Sequence, residues 1–362
     1  MRRWLLAAGA ILAACVGVLF LFEARIEQAL FERGVARSMA LDNSALLRDD
    51  ALRVAIAGSS SPLPSPRAKA CVAVFAGGRF YVVDSGPEST ENLVRWGIPL
   101  ARIGGVFLTH FHSDHVGELG ELNLQTWAAG RAEPLDVYGG PGVERVVGGF
   151  NDAYRQDQGY RTAHHSERWM PPAAWPMVPR PVKLDGPPVP ERSRSAVALE
   201  RDGLKVTALE VVHEPVAPAY AYRFDYKGRS VVVTGDLSYH APLVKGAQGA
   251  DVLVSEAIAR PMVRTLEQAA RDRGNERVAT IMHDIQSYHV APEEAADIAN
   301  KAGVKLLVFY HMVPAPDVFL TRRLFARGIG GVRKDGWTLA DDGSLYTLPV
   351  GSGEIAVGRV PY

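Results

Sequence analysis

The chain has 362 residues, 47% of them hydrophobic and 22% charged, which is enough apolar material to bury a sizeable core and excludes a disordered chain. Forty Lys and Arg balance forty Asp and Glu, and a net charge of zero argues against nucleic acid as the main partner, because phosphate binding draws on surplus cations. Two cysteines, Cys15 and Cys71, exclude a disulfide framework and a cysteine-rich zinc module, so the ten histidines are the chemical asset.

Met1-Arg2-Arg3 opens onto an uncharged, mainly apolar run from Trp4 to Phe22, ended by Glu23. At about 1.5 Å per residue the run spans roughly 28 Å, close to the hydrocarbon thickness of a bilayer, and it predicts an N-terminal transmembrane helix. Basic residues before the run favour a cytoplasmic N-terminus, so the body is expected to be membrane-anchored and extracytoplasmic, periplasmic in a Gram-negative cell. Two rivals share the basic start. One is a cleaved secretory signal, giving a secreted form, although its apolar region is normally shorter. The other is an exported lipoprotein cleaved at Leu12-Ala13-Ala14-Cys15, although apolar residues continue past that cysteine to Phe22. Residues 1–22 are thus an anchor or signal segment. Residues 23–50 read as a helical connector, with Ile26, Leu30 and Phe31 at helical spacing among charges, and residues 51–362 as the main domain.

Within that domain Ser59–Pro66 is a loop, and Cys71–Phe75 and Arg79–Val83 are strands joined at Gly77-Gly78, a hairpin turn. Gly104–Leu108 is an apolar strand running into a histidine cluster, and Leu135–Tyr138 precedes Gly139-Gly140-Pro141-Gly142 and a helical stretch to about Gln158. Gly159–Ser195 is rich in Pro, Arg and aromatics, so residues 150–200 are expected to hold an irregular insertion or lid. Two hairpins follow, Val197–Arg201 with Leu204–Val212 and Ala219–Tyr226 with Ser230–Thr234. Val252–Val254 and Lys305–Tyr310 read as buried strands, separated by a helix that begins near Pro292, carries Glu293 and Glu294 in its first turn and ends at Gly303. Hairpins followed by strand–helix units, twice over, predict an α/β fold of two β-sheets packed face to face with helices outside. No phosphate-binding G-x-x-x-x-G-K-[ST] or dinucleotide G-x-G-x-x-G occurs.

The strongest feature is Thr109-His110-Phe111-His112-Ser113-Asp114-His115, three imidazoles and a carboxylate directly after a strand. A strand-end loop can turn such closely spaced side chains towards one point, and imidazole nitrogens with carboxylate oxygens suit a water-bearing Zn²⁺ site. His213, Asp236 in Thr234-Gly235-Asp236, and His311 each follow an apolar strand, where dispersed ligands can converge.

These residues, in this order, resemble the metallo-β-lactamase-fold hydrolases, whose fold is an αβ/βα sandwich. The resemblance covers roughly residues 50–340. It implies two zinc ions, or another divalent metal, with His110, His112 and His213 on one, Asp114, His115 and His311 on the other, and Asp236 between them. Asp84, in Val82-Val83-Asp84-Ser85-Gly86, resembles the strand-end aspartate that orients the metal loop. Ser255-Glu256-Ala257 and His289 with the segment to Gly303 look like the ribonuclease Z-like or arylsulfatase-like branch, in which a glutamate and a histidine act as a pair beside the metals. Asp114, His289 and Glu256 are therefore the expected catalytic residues.

The resemblance implies a di-zinc hydrolase whose activated hydroxide attacks a phosphodiester or aryl sulfate. The alternatives are a lactonase or β-lactamase-type hydrolase and a di-iron oxidoreductase, which in this family usually has a glutamate in the histidine motif or a flavin domain. Ribonuclease Z grips transfer RNA with a basic, glycine-rich arm. Here the cations of residues 150–201 are nearly cancelled by acids, so a small anionic ester is the expected substrate. Arg161 and His164 in that segment are candidates for cradling it. Sequence gives no oligomeric state.

Overall fold

The structure, a computed structural model, describes Trp4, residues 23–186 and residues 193–362. The chain divides into two units, Met1–Asp42 and Asn43–Tyr362. In the first, residues 23–39 are helical and carry Glu23, Arg25, Glu27, Glu32, Arg33 and Arg37. The apolar run to Phe22 lies, Trp4 apart, outside the described residues. Among the described residues no helix is long and apolar enough to cross a membrane. The expected transmembrane helix is therefore not part of the described fold, and the helix that is described, residues 23–39, is laced with charges that hydrocarbon does not accept.

The second unit is built from fifteen strands among the described residues. The first group comprises β1 (Ala51–Gly58), β2 (Cys71–Ala76), β3 (Arg79–Val83), β4 (Ile103–Phe107), β5 (Leu135–Gly139) and β6 (Met177–Pro181). The second comprises β7 (Ser195–Arg201), β8 (Leu204–Glu210), β9 (Tyr220–Tyr226), β10 (Arg229–Val233), β11 (Val252–Ile258), β12 (Leu306–Val313) and β13 (Trp337–Leu339). The chain then returns to the first sheet with β14 (Ser344–Pro349) and β15 (Ala356–Arg359), giving sheet orders β15-β14-β1-β2-β3-β4-β5-β6 and β13-β12-β11-β10-β9-β8-β7.

The two sheets bury a shared core in which Phe107 stacks on Tyr138 at 4.7 Å and meets Tyr222 and Phe224 edge-on at 5.3 and 5.5 Å. β1 and β2 are buried along their whole length because each has a sheet face on the shared core and a face under the outer helices. Leu93, Leu119, Leu122 and Val147 form that outer helical layer on one sheet, and Leu243, Ala295, Ile298 and Phe325 form it on the other. This is the two-sheet α/β sandwich with helices outside.

Strand direction places the site. β3, β4 and β5 are mutually parallel, as are β10, β11 and β12. Two antiparallel steps, β8–β9 and β9–β10, return β8 to the direction of β10. Within each sheet these strands therefore end at one edge, where the candidate residues lie. The stretch expected to be irregular differs from expectation. Arg155–His165 is a helix with no buried residue, and β6 pairs in parallel with β5. That helix lacks an apolar stripe, which is why a hydrophobic pattern does not reveal it.

Candidate metal centre

Two strand ends, those of β3 and β4, deliver the histidine-rich end of the site. Asp84 follows β3 and adopts φ 60°, a left-handed conformation that Asp tolerates better than most residues. Its carboxylate accepts from Thr109 N and Thr109 Oγ1, both at 2.8 Å, and faces His115 Nδ1 at 2.7 Å. One fully buried carboxylate thus fixes both ends of the loop that follows β4, and it leaves the Nε2 atom of His115 to point inward. Thr109 Oγ1 also meets His110 Nδ1 at 3.0 Å, so His110 presents Nε2, which lies 3.0 Å from His112 Nδ1.

The opposite sheet contributes the rest. His213 follows β8, and its Nδ1 donates to Tyr288 O at 2.9 Å, again freeing Nε2. Asp236 follows β10 across Gly235, whose φ of 60° and tight approach to Thr109 exclude a side chain: a Cβ there would fall 2.5 Å from Thr109 Cβ. On β12 the register with β11 jumps from Ser255↔Phe309 to Ala257↔Met312, so Tyr310 and His311 together oppose Glu256. This is a β-bulge, and it aims His311, at φ 37°, into the site, where its Nε2 meets Asp114 Oδ2 at 3.0 Å.

The seven residues converge. His110, His112, His213 and Asp236 offer ligand atoms all within 4.8 Å of one another, and so do Asp114, His115 and His311. Asp236 spans the two groups: its Oδ1 lies 3.3 Å from His115 Nε2 and 3.5 Å from His311 Nδ1, and its Oδ2 lies 3.8 Å from both His110 Nε2 and His213 Nε2. His115 Nε2, His213 Nε2, His311 Nδ1 and Asp236 Oδ1 are buried without a hydrogen-bond partner. Orphaned nitrogens and oxygens aimed at common points are what a cation site needs, and buried polar groups otherwise find partners. The donor set therefore fits two divalent metals. His112 is exposed, so the first group opens to solvent. A cleft of about 520 Å³ bounded by Pro141, Lys183, Glu210 and Tyr220 reaches His213.

Beside the cluster, His289 Nδ1 lies 3.0 Å from Glu256 Oε1 and 3.9 Å from Asp236 Oδ2. Burial opposes protonation of His289, but the carboxylates of Glu256, Asp236 and Asp114 outweigh it and raise its pKa to about 9. Burial pushes Glu256 upward as well, so the pair keeps a proton at neutral pH. Arg161 and His164 lie elsewhere, on the surface helix Arg155–His165. Arg161 is paired with Asp157 at 2.7 Å, His164 is exposed, and no described contact joins either to the cluster. Two groups that hold the site in shape carried no readable motif. Thr109 was merely part of the histidine run, and Tyr288 acts through a backbone carbonyl, which any residue type supplies.

Residues 65–281 match the Metallo-beta-lactamase superfamily. The chain is 36% identical over 268 residues to a protein named Ribonuclease Z from Mycolicibacterium paratuberculosis, spanning 73% of this chain and 87% of that one. The chain belongs to the metallo-beta-lactamase superfamily, in its ribonuclease Z-like branch. It is a metal-dependent hydrolase acting on ester bonds. Among solved structures, the metallo-beta-lactamase fold protein YhfI from Bacillus subtilis superposes with a TM-score of 0.56 at 20% identity, covering 82% of this chain and 99% of that one. Human tRNase Z, short form, superposes with a TM-score of 0.54 at 22% identity, over the same shares.

These relatives correct two expectations. Nucleic acid is not set aside as a partner, since the relatives are nucleases by name. A net charge summed over the whole chain counts neither local placement nor the charge that bound divalent cations bring to a site. The membrane-anchored, extracytoplasmic or exported placement also falls. Its support was a transmembrane helix, no described helix is long and apolar enough to cross a membrane, and the relatives that the chain matches are named Ribonuclease Z.

Proposed function

We propose that this hydrolase is a zinc-dependent phosphodiesterase that cleaves RNA. The observation that carries the reading is the buried Glu256–His289 pair, an imidazole held by a carboxylate at 3.0 Å beside the metal-competent cluster. Its weight lies in leaving-group chemistry. A ribose oxygen departs as a strongly basic alkoxide unless it is protonated, whereas the phenolate of an aryl sulfate makes a smaller demand. Supporting it is the extended likeness to Ribonuclease Z.

In this reading His110, His112 and His213 hold one zinc, Asp114, His115 and His311 the other, and Asp236 both. When bound, the metals supply Lewis acidity and lower the pKa of water towards neutrality. The chain's own groups do the rest. Asp84 fixes the tautomer of His115 by accepting a hydrogen bond from its Nδ1–H. The Tyr288 carbonyl does the same for His213. His289, with Nδ1 on Glu256, carries the transferable proton on Nε2 and delivers it to the leaving oxygen, a contribution of about 10²–10⁴ in rate for a well-placed general acid. Asp114 and Asp236 hold negative charge against the cluster and keep the histidine loop closed on the opposite sheet.

The test is a panel of an RNA bearing a 3′ extension, a nitrophenyl phosphodiester, an aryl sulfate, a lactone and a cephalosporin, with His112→Ala as control and metal content measured alongside. Cleavage of both phosphodiesters by protein carrying about two equivalents of zinc, lost in His112→Ala, is the expected result. Zinc-loaded protein that cleaves neither phosphodiester, or iron in excess of zinc, overturns the proposal.

A further inference from the structure

Residues 285–291, which carry His289, form no helix or strand between the helices Glu276–Asp284 and Pro292–Lys301. An irregular segment cannot satisfy its own peptide groups, so each must find a partner elsewhere. Val290 O accepts from Ile258 N at 2.8 Å, and Tyr288 O accepts from His213 at 2.9 Å. Two more carbonyls, Gln286 O and His289 O, both accept from one side chain, Arg260, through Nε and Nη2 at 3.1 Å.

The rest of that guanidinium grips Glu294 at two points, Nη1 to Oε1 at 3.1 Å and Nη2 to Oε2 at 3.0 Å. Glu294 Oε2 in turn accepts from Ala291 N at 2.7 Å. One planar fork therefore ties the peptide of His289 to the first turn of the next helix. The pair is partly exposed, with Arg260 30% and Glu294 35% accessible, so its ionic attraction is screened and contributes little to global stability. What it sets is local geometry. Glu256 holds the His289 imidazole by Nδ1 and accepts from Val290 N at 3.2 Å, while the carbonyls of Gln286 and of His289 itself are held by Arg260.

We propose that Arg260, with Glu294, is a positioning residue that aims His289 at the leaving oxygen. This rests on the reading of His289 as the leaving-group acid. A lysine cannot replace Arg260, because a single ammonium cannot reach two carbonyls and both carboxylate oxygens in one plane.

The test compares Arg260→Met, Arg260→Lys, Glu294→Gln, His289→Ala and the double variant Arg260→Met/His289→Ala on two substrates of the zinc-loaded protein. One is RNA, with a ribose leaving oxygen, and the other is a nitrophenyl phosphodiester, whose leaving group needs no proton. Arg260→Met is expected to lower kcat on RNA by roughly 10–100-fold, with KM and zinc content unchanged, and on the nitrophenyl ester by no more than about threefold. Arg260→Lys recovers little of the loss, and Glu294→Gln shows the same pattern at smaller amplitude. In the His289→Ala background Arg260→Met adds nothing, because it acts through a group already removed. A further loss in that background, or equal loss on both substrates, overturns the proposal and marks Arg260 as merely structural. His289→Ala that loses equally on both substrates overturns the acid reading itself, and the proposal with it.

Discussion

His110 and His213 lean on neutral groups, the Thr109 hydroxyl and the Tyr288 carbonyl, whereas His115 leans on the carboxylate of Asp84. Burial holds His110 well below the usual imidazole range and His213 down to about 4. The second group behaves oppositely. Burial disfavours charge on His115 too, yet Asp236, Asp84 and Asp114 overcome it and push its pKa well up. One loop therefore feeds two half-sites of different character. The first presents neutral imidazoles at an open mouth through the exposed His112, and the second is closed and backed by carboxylates. A carboxylate behind an imidazole raises its basicity and strengthens its hold on a cation, so the closed half is expected to bind metal more tightly.

The largest effect that can break this contrast comes from the candidate ligands. His115→Ala and His213→Ala should each abolish hydrolysis and each remove about one of two metal equivalents by metal analysis. If either variant keeps both equivalents, the division into halves is wrong. A smaller effect sharpens it. Asp84→Asn should cost roughly 10–100-fold in metal affinity or activity. Thr109→Val, which withdraws a neutral partner, should cost no more than about tenfold, and equal losses in a chelator competition would erase the distinction.

The smallest effect on metal content contrasts the site with the scaffold. Asp251 and Arg229 form a buried pair at 3.0 Å, with side chains 6% and 3% exposed, reinforced by Lys305 at 2.7 Å. Burial would raise the Asp251 pKa, but hydrogen bonds from Arg229, Lys305 and Ser230 N lower it. A depressed folded pKa means stability that is present above the unfolded value of about 3.9 and is lost as pH falls through the folded one. Asp251→Asn should lower stability by about 3 kcal/mol at pH 7 in denaturant melts, with the difference shrinking below about pH 4, while metal content stays unchanged. Loss of metal in that variant would show that scaffold and site are not independent.

The hairpins at Gly77-Gly78 and Lys227-Gly228, the buried strands and the helix near Pro292 were legible because local turn chemistry and apolar runs decide them. The helix Arg155–His165 was not, since no buried face imprints a period on its sequence. β1 and β14 were missed for a different reason. They pair across almost three hundred residues, and no local signal announces such a partner. The candidate ligands were visible as residue types behind strands. Arg260, Glu294 and Tyr288 were not, because their work is done on backbone atoms that sequence does not name.

The amino-acid order by itself determined a chemistry: a histidine-rich loop after a strand, with three further donors after three other strands, in a set that suits divalent cations. It could not determine geometry. That Asp236 spans both groups, that a bulge on β12 turns His311 inward, and that one arginine fastens the His289 loop follow from strand direction and register. Those depend on pairings between distant segments, which form only when the two sheets close on their shared core.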